Sequence, residues 1–207
     1  MDSEIITYII CDYLLTDDVI NYLNYINKLD DYEYLYIWYD IHHIKNNYKK
    51  IRHVYNIKNT DELKNIPNII SITFHSKYDT QIKPSILPQS LQSITFGWRY
   101  NQIINPNVLP LSLQSITFGY WYDQIINPNV LPQSLQSITF GDEYDQIINP
   151  NVLPPSLQSI TFGYCYNQII EPNVLPQSLQ SITFDCCYKH IKLVQKYYPL
   201  LKIMIKN

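Results

Sequence analysis

A phrase of 22 residues constrains this chain more than any other feature. Asn-Pro-Asn-Val-Leu-Pro-x-Ser-Leu-Gln-Ser-Ile-Thr-Phe-Gly, followed by a short aromatic-containing stretch and Asn/Asp-Gln-Ile-Ile, recurs almost letter for letter over residues 71–184. The period sets Leu91, Leu113, Leu135, Leu157 and Leu179 in one column and Phe74, Phe96, Phe118, Phe140, Phe162 and Phe184 in another. Each copy thus repeats the same apolar positions and the same turns. A single copy has too little apolar surface to offset the entropy of ordering its own backbone, so it must bury its face against its neighbours. The chain is predicted to be a solenoid.

Within a copy, Ile94 and Phe96 alternate with Ser93 and Thr95, the pleat of a short strand with one buried and one open face. Each rung is therefore expected to add one strand to a parallel sheet. Gly97 ends the strand, and Pro106 and Pro110 remove backbone donors from the return segment, which forbids a regular helix across the back. Ile103, Ile104 and Val108 are expected to anchor that back inward. Residues 51–55 alternate in the same way and read as an opening rung within 49–70, ahead of the repeats at 71–185. Residues 189–198 lack Gly and Pro and set Ile191, Val194 and Tyr198 at helical spacing. Ile203 and Ile205 follow Ile182 and Phe184 by 21 residues. Residues 186–207 are accordingly expected to form a last rung with a helical back, a cap over the open sheet edge.

Residues 1–48 carry no repeat and read as helical. Ile5, Ile6, Ile9, Ile10 and Tyr13 recur at helical spacing, and Val19, Ile20, Leu23 and Ile26 do so again behind Thr16, a suitable N-cap. A third helix is expected from Asp30 or Asp31, carrying Leu35, Trp38 and Ile41 inward. The expected fold class is α+β: a short helical segment at 1–48, then a solenoid over 49–207 with a mostly non-helical back and a helical C-terminal cap.

The composition excludes several function classes. The net charge is −3 without a basic run, so the electrostatic footprint of a nucleic-acid or anionic-membrane partner is missing. No apolar run reaches the roughly 18 residues that span a bilayer, and Met-Asp-Ser-Glu is acidic where a signal peptide is basic. These features predict an intracellular protein, in the cytoplasm. The four cysteines (Cys11, Cys165, Cys186, Cys187) follow neither a metal spacing nor a disulfide framework. Cys165 and Cys187 lie one repeat apart in one column, so adjacent rungs would bring them within disulfide reach. His42, His43, His53, His75 and His190 are scattered without a nucleophile or acid at a recognisable distance, and no Gly-rich phosphate loop is present. No enzyme and no cofactor are expected.

Comparing the copies separates scaffold from candidate site. Columns that never change are core or turn: the Leu, Ile, Phe and Tyr columns pack, while the Ser93 and Thr95 columns face out and can form hydroxyl ladders. Asn101, Asp123, Asp145 and Asn167 would suit calcium only if each rung supplied more than one oxygen, because calcium takes about six to eight; turn hydrogen bonding accounts for the residue type. The two positions after each strand vary freely. They read Trp98-Arg99, Tyr120-Trp121, Asp142-Glu143, Tyr164-Cys165 and Cys186-Cys187, and would cluster along one edge of the open face. Trp, Tyr and Arg dominate binding hot spots, so Trp98, Arg99, Tyr120, Trp121, Asp142, Glu143 and Tyr164 are the candidate partner-binding residues. Drift in a loop, or packing on the next rung, is the plain alternative.

The unit Leu-Pro-x-Ser-Leu-Gln-Ser-Ile-Thr-Phe-Gly-x-x-Tyr-Asn/Asp-Gln-Ile-Ile-x-Pro resembles the FNIP repeat, a leucine-rich-repeat relative found in social amoebae and in giant DNA viruses of amoebae. Where that family writes Phe-Asn, this chain has Tyr100-Asn101, Tyr122-Asp123, Tyr144-Asp145 and Tyr166-Asn167. Where the family often has Gly, it has Asn107, Asn129, Asn151 and Asn173, which tolerate similar turns. Proteins of this family often carry an F-box-like segment before the repeats. Glu4-Ile5-Ile6, Ile9, Tyr13-Leu14, Asp17-Asp18, Ile20, Leu23 and Asn27-Lys28 look like such a segment. The resemblance implies a target-recognition subunit of a cullin-type ubiquitin ligase. Ile5, Ile9, Leu14, Ile20 and Leu23 would then meet a host F-box adaptor, and the solenoid would hold a protein target. The alternative is a structural or scaffolding solenoid whose N-terminal helices serve only as a cap. The oligomeric state is left open.

Overall fold

The computed structural model describes residues 35–37, 51–63 and 68–206. Among them, nine strands form one sheet in chain order: β1 (Leu35–Ile37), β2 (Ile51–Ile57), β3 (Ser71–Phe74), β4 (Ser93–Thr95), β5 (Ser115–Thr117), β6 (Ser137–Thr139), β7 (Ser159–Thr161), β8 (Ser181–Asp185) and β9 (Lys202–Lys206). Every pairing is parallel. From β3 to β8 each residue faces its counterpart one repeat away, as Ile94 faces Ile116 and Ile116 faces Ile138. A perfect repeat makes this register the only one in which all isoleucines point inward together, since a slip of one residue would turn every side chain to the other face.

The interior is built from columns. Ile94, Ile116, Ile138 and Ile160 are buried between half-exposed serines and threonines, which is the alternation expected of one wet and one dry face. Behind them two aromatic ladders run the length of the sheet. Phe96, Phe118, Phe140 and Phe162 stack from rung to rung at 5.3–5.5 Å between ring centroids. Tyr100, Tyr122, Tyr144 and Tyr166 stack at 6.0–6.1 Å. Within a rung the two rings lie closer still, as in Phe118 and Tyr122 at 3.9 Å. The hydroxyls of Tyr100, Tyr122, Tyr144 and Tyr166 are buried without a hydrogen-bond partner, so these residues contribute through ring area rather than through their polar atom.

Glycine is required after each strand by close approach, not by its dihedral freedom. A Cβ on Gly119 would lie 1.9 Å from the carbonyl oxygen of Gly97, and Gly97, Gly141 and Gly163 meet the rung before them in the same way. The left-handed turn belongs to asparagine: Asn107, Asn129, Asn151 and Asn173 have φ of 64–67°, a region that short polar side chains tolerate. Further along the same segment, a serine column ties rung to rung. Ser112 Oγ donates to the Leu91 carbonyl at 2.6 Å, and Ser134, Ser156 and Ser178 repeat the bond.

Three expectations need correction. The third helix is replaced at Leu35–Ile37 by strand β1, which pairs with β2, so the sheet reaches into the segment assigned to residues 1–48. An open edge of β2 presents unpaired backbone groups, and a neighbouring Tyr-Leu-Tyr-Ile sequence with strand propensity can satisfy them. The other residues of 1–48, including Ile5, Ile9, Leu14, Ile20, Leu23, Trp38 and Ile41, lie outside the described residues. Second, Ile103 is not an inward anchor. It is 47% exposed, as its counterparts Ile125, Ile147 and Ile169 are exposed, while Ile104, Val108 and Leu109 are buried. At the Ile103-Ile104 doublet the two side chains take opposite sides, whereas Val108 and Leu109, just after the left-handed Asn107, both turn inward. Third, the Asn/Asp column bonds across rungs rather than within its own turn: Asp123 Oδ1 accepts from Asp145 N–H at 3.0 Å and from Gln146 Nε2 at 2.9 Å.

The C-terminal rung follows its expected form. Helix α1 (Ile191–Tyr197) buries Val194 and leads into β9, with Ile203 opposite Ile182 and Ile205 opposite Phe184. Tyr198 locks this cap in place: its hydroxyl donates to the Glu171 carbonyl and accepts from the Val174 and Leu175 N–H groups, at 2.9–3.1 Å. The outer edge strand carries exposed Lys202 and Lys206, a charge arrangement that discourages further strand addition.

Candidate functional site

The two variable positions after each strand are held by a backbone ladder that continues past the glycine. Arg99 N–H donates to Ser76 O, Trp121 to Trp98 O, Glu143 to Tyr120 O and Cys165 to Asp142 O, at 2.8–3.1 Å. Their side chains are thereby stacked at rung spacing, about 4.8 Å, whatever their identity. A regular frame presents an irregular set of groups.

Along this edge the chemistry changes in order. Lys77 and Arg99 supply positive charge at the N-terminal end. The aromatic part comes next, with Trp98 stacked on Tyr120 at 4.4 Å and Tyr120 edge-on to Trp121 at 5.4 Å. Trp98 is 55% exposed and Trp121 50%. Asp142 and Glu143 follow, and a hydrogen bond to Glu143 together with its charge raises the Tyr120 phenol above its ordinary pKa. Tyr164 closes the row, its N–H donating to Asp142 Oδ1 at 3.3 Å, and the neighbouring Cys187 raises the pKa of its phenol as well. The structure thus brings Trp98, Arg99, Tyr120, Trp121, Asp142, Glu143 and Tyr164 onto one edge, as their spacing implied.

Other candidates have structural employment. His75 Nδ1 accepts from Lys77 N–H at 3.0 Å, and His190 stands edge-on to Tyr188. The Asx column spends its oxygens on the next rung: Asp79, Asn101, Asp123 and Asp145 each accept from the following backbone N–H at 2.8–3.0 Å. Cys165, Cys186 and Cys187 are free thiols, and burial, then Glu143 and Asp142, raise the Cys165 thiol pKa. Among the described residues no helix is long and apolar enough to cross a membrane. Sequence reasoning missed the exposed isoleucine column at Ile103; nothing in the sequence separates the Ile103-Ile104 doublet, split between surface and core, from the Val108-Leu109 doublet, buried at both positions.

Known proteins place these features in a family. The FNIP Repeat matches residues 63–98, 78–121, 100–143, 122–165 and 144–187. No curated protein matches the chain. Among solved structures, the chain is similar to CroV588, described as a circular LRR protein, with 36% identity and a TM-score of 0.64 over 76% of this chain and 24% of that one. It therefore spans about a quarter of the length of that relative. The pneumococcal vaccine antigen PcpA is aligned over 83% of this chain and 44% of its own at 15% identity, with a TM-score of 0.31. With five consecutive repeat matches over more than half its length, this chain belongs to the FNIP repeat family, and its fold is that of a leucine-rich-repeat-like solenoid.

Proposed function

We propose that this chain is a protein-interaction module that holds a protein target on the edge formed by Trp98, Arg99, Tyr120, Trp121, Asp142, Glu143 and Tyr164. The observation that carries this is the pairing of a uniform backbone ladder with exposed, non-repeating aromatic and charged side chains. The buried columns keep their identity from rung to rung because packing demands it. Two half-exposed indoles flanking a phenol supply large contact area at little cost in side-chain entropy. The acidic pair one rung on favours a target segment that combines an apolar group with a cationic one. Copurification with the intact chain, compared with the Trp98→Ala/Trp121→Ala variant, tests it: the same proteins recovered in the same amounts by both would overturn the assignment.

The finer reading makes the chain the target-recognition subunit of a cullin-type ubiquitin ligase. Ile5, Ile9, Leu14, Ile20 and Leu23 would dock on the adaptor, and the chain would act by proximity alone, raising the effective concentration of a target lysine near a carrier bound elsewhere. Support for it is the F-box-like order of residues in the N-terminal segment. Binding of the intact chain to a purified adaptor, lost in Ile9→Asp/Leu23→Asp, is the expected result; no association at micromolar concentration would remove the ligase link. A second reading has its own observation. Strand β1 pairs with β2, which favours a structural role for at least part of residues 1–48. Under that reading, removing them exposes the β2 edge and the remaining repeats aggregate.

A further inference from the structure

The last rung departs from the others at three consecutive positions. Where earlier copies read Gly97-Trp98-Arg99, Gly119-Tyr120-Trp121, Gly141-Asp142-Glu143 and Gly163-Tyr164-Cys165, this one reads Asp185-Cys186-Cys187. All three residues carry metal-ligating atoms. Asp185, like His75 in the first copy, stands in the column where a Cβ at the four glycines would collide with the preceding rung. At Asp185 the strand instead runs on to pair with Lys206, and the side chain is accommodated half-buried.

The three ligand atoms converge. Asp185 Oδ1 lies 3.3 Å from Cys186 Sγ, Cys186 Sγ lies 3.9 Å from Cys187 Sγ, and all three fall within 4.8 Å of one another. A tetrahedral centre with Zn–S bonds of about 2.3 Å and Zn–O bonds of about 2.0–2.2 Å separates its sulfurs by about 3.8 Å and sulfur from oxygen by about 3.5 Å. The Asp185–Cys186 and Cys186–Cys187 separations match that geometry, and the third, within 4.8 Å, needs at most a small side-chain rotation to join them. A disulfide would require the sulfurs to close to about 2.05 Å. Both cysteines are exposed, so an ion has direct entry.

We propose that Asp185, Cys186 and Cys187 form a binding site for a thiophilic divalent cation of the zinc class, with its remaining position open to solvent. Binding forms two metal–sulfur bonds and one metal–oxygen bond. The two S–H bonds break, two protons pass to solvent, and no electron is transferred. The ion would tie the end of β8 to the turn that enters α1, and so brace the C-terminal cap.

The reduced intact chain, titrated with Cd²⁺ as a spectroscopic stand-in for Zn²⁺, tests this. The expected result is a thiolate-to-metal absorption band that saturates at one ion per chain, two protons released per ion, and displacement of the ion by chelator. Cys186→Ser and Cys187→Ser should each weaken binding about tenfold or more and Asp185→Asn less, with Cys165→Ser leaving it unchanged; metal-free melts of all four variants report that the fold is kept. On the unmutated chain, bound metal should protect Cys186 and Cys187 from alkylation while Cys165 stays reactive. No band at a severalfold excess of metal, a band that survives both Cys186→Ser and Cys187→Ser, or oxidation of the pair to a disulfide without metal uptake would each overturn the assignment.

Discussion

The indole of Trp98 lies flat on the phenol ring of Tyr120, with centroids 4.4 Å apart and planes within 6° of parallel. Both rings project from a backbone ladder that would hold any side chain there, so the pair can be removed without disturbing the core. Trp98→Ala is expected to cost only about 0.5–1.5 kcal/mol, the worth of an aromatic pair, read as a small shift in a thermal or urea melt. A loss above about 3 kcal/mol would show that Trp98 is scaffold, and would count against a binding role for this edge.

Gly119 and Asn129 make opposite predictions about two turn residues of one rung. Gly119→Ala puts a methyl group 1.9 Å from the Gly97 carbonyl oxygen, a backbone atom that cannot step aside, and should cost about 2–4 kcal/mol. Asn129→Gly, at φ of 64°, should change stability by only a few tenths, whereas Asn129→Ala costs about 1 kcal/mol. Urea unfolding of the three variants gives the order directly.

Asp123 bridges two rungs through one oxygen, accepting from Asp145 N–H and Gln146 Nε2. Asn101 does the same with an amide oxygen, accepting from Asp123 N–H and Gln124 Nε2 at 3.0 Å each. Asp123→Asn should therefore be nearly neutral, while Asp123→Ala, which leaves two donors unpaired, should cost about 1–3 kcal/mol. Equal losses for the two variants in equilibrium unfolding would show that charge, not hydrogen bonding, is what the column needs.

The tyrosine ladder predicts a steep alkaline transition. Burial pushes the Tyr78 phenol up to about 12 and raises Tyr100, Tyr122, Tyr144, Tyr166 and Tyr188 further still. In the unfolded chain these phenols ionise near pH 10. Above that pH the folded state holds more protons than the unfolded one, so stability is full below about pH 10 and falls as pH rises toward the folded values. Each tyrosine contributes a slope of about 1.4 kcal/mol per pH unit. Tyr122→Phe should reduce that slope by one proton in urea melts above about pH 10, with no change in slope below it. At pH 7 it should raise stability by about 1 kcal/mol, because its hydroxyl is buried without a partner; a clear loss at pH 7 would show that the hydroxyl is paired after all.

What was legible in the sequence follows from periodicity. Ser93-Ile94-Thr95-Phe96 alternates within the rung and recurs between rungs, so strand, register and core face are specified together. The helical cap could be seen because residues 189–198 lose the prolines that forbid a helix elsewhere. The candidate edge was legible for the converse reason: Trp98, Tyr120 and Asp142 occupy a column that packing does not constrain. Leu35–Ile37 escaped this reading because a short aromatic-rich segment outside the repeat fits helix and strand spacing alike, and only the unpaired side of β2 selects the strand.

By itself, then, the sequence determined the rung, its stacking axis and the division between scaffold and variable edge, since those depend on spacing along the chain. The tertiary structure alone decided which isoleucine of each doublet is buried and that Asp123 serves the next rung rather than its own turn. It alone showed that Asp185, Cys186 and Cys187 converge within 4.8 Å. These depend on how one rung sits over another and on where side chains point in a non-periodic back, distances that no spacing along the chain contains.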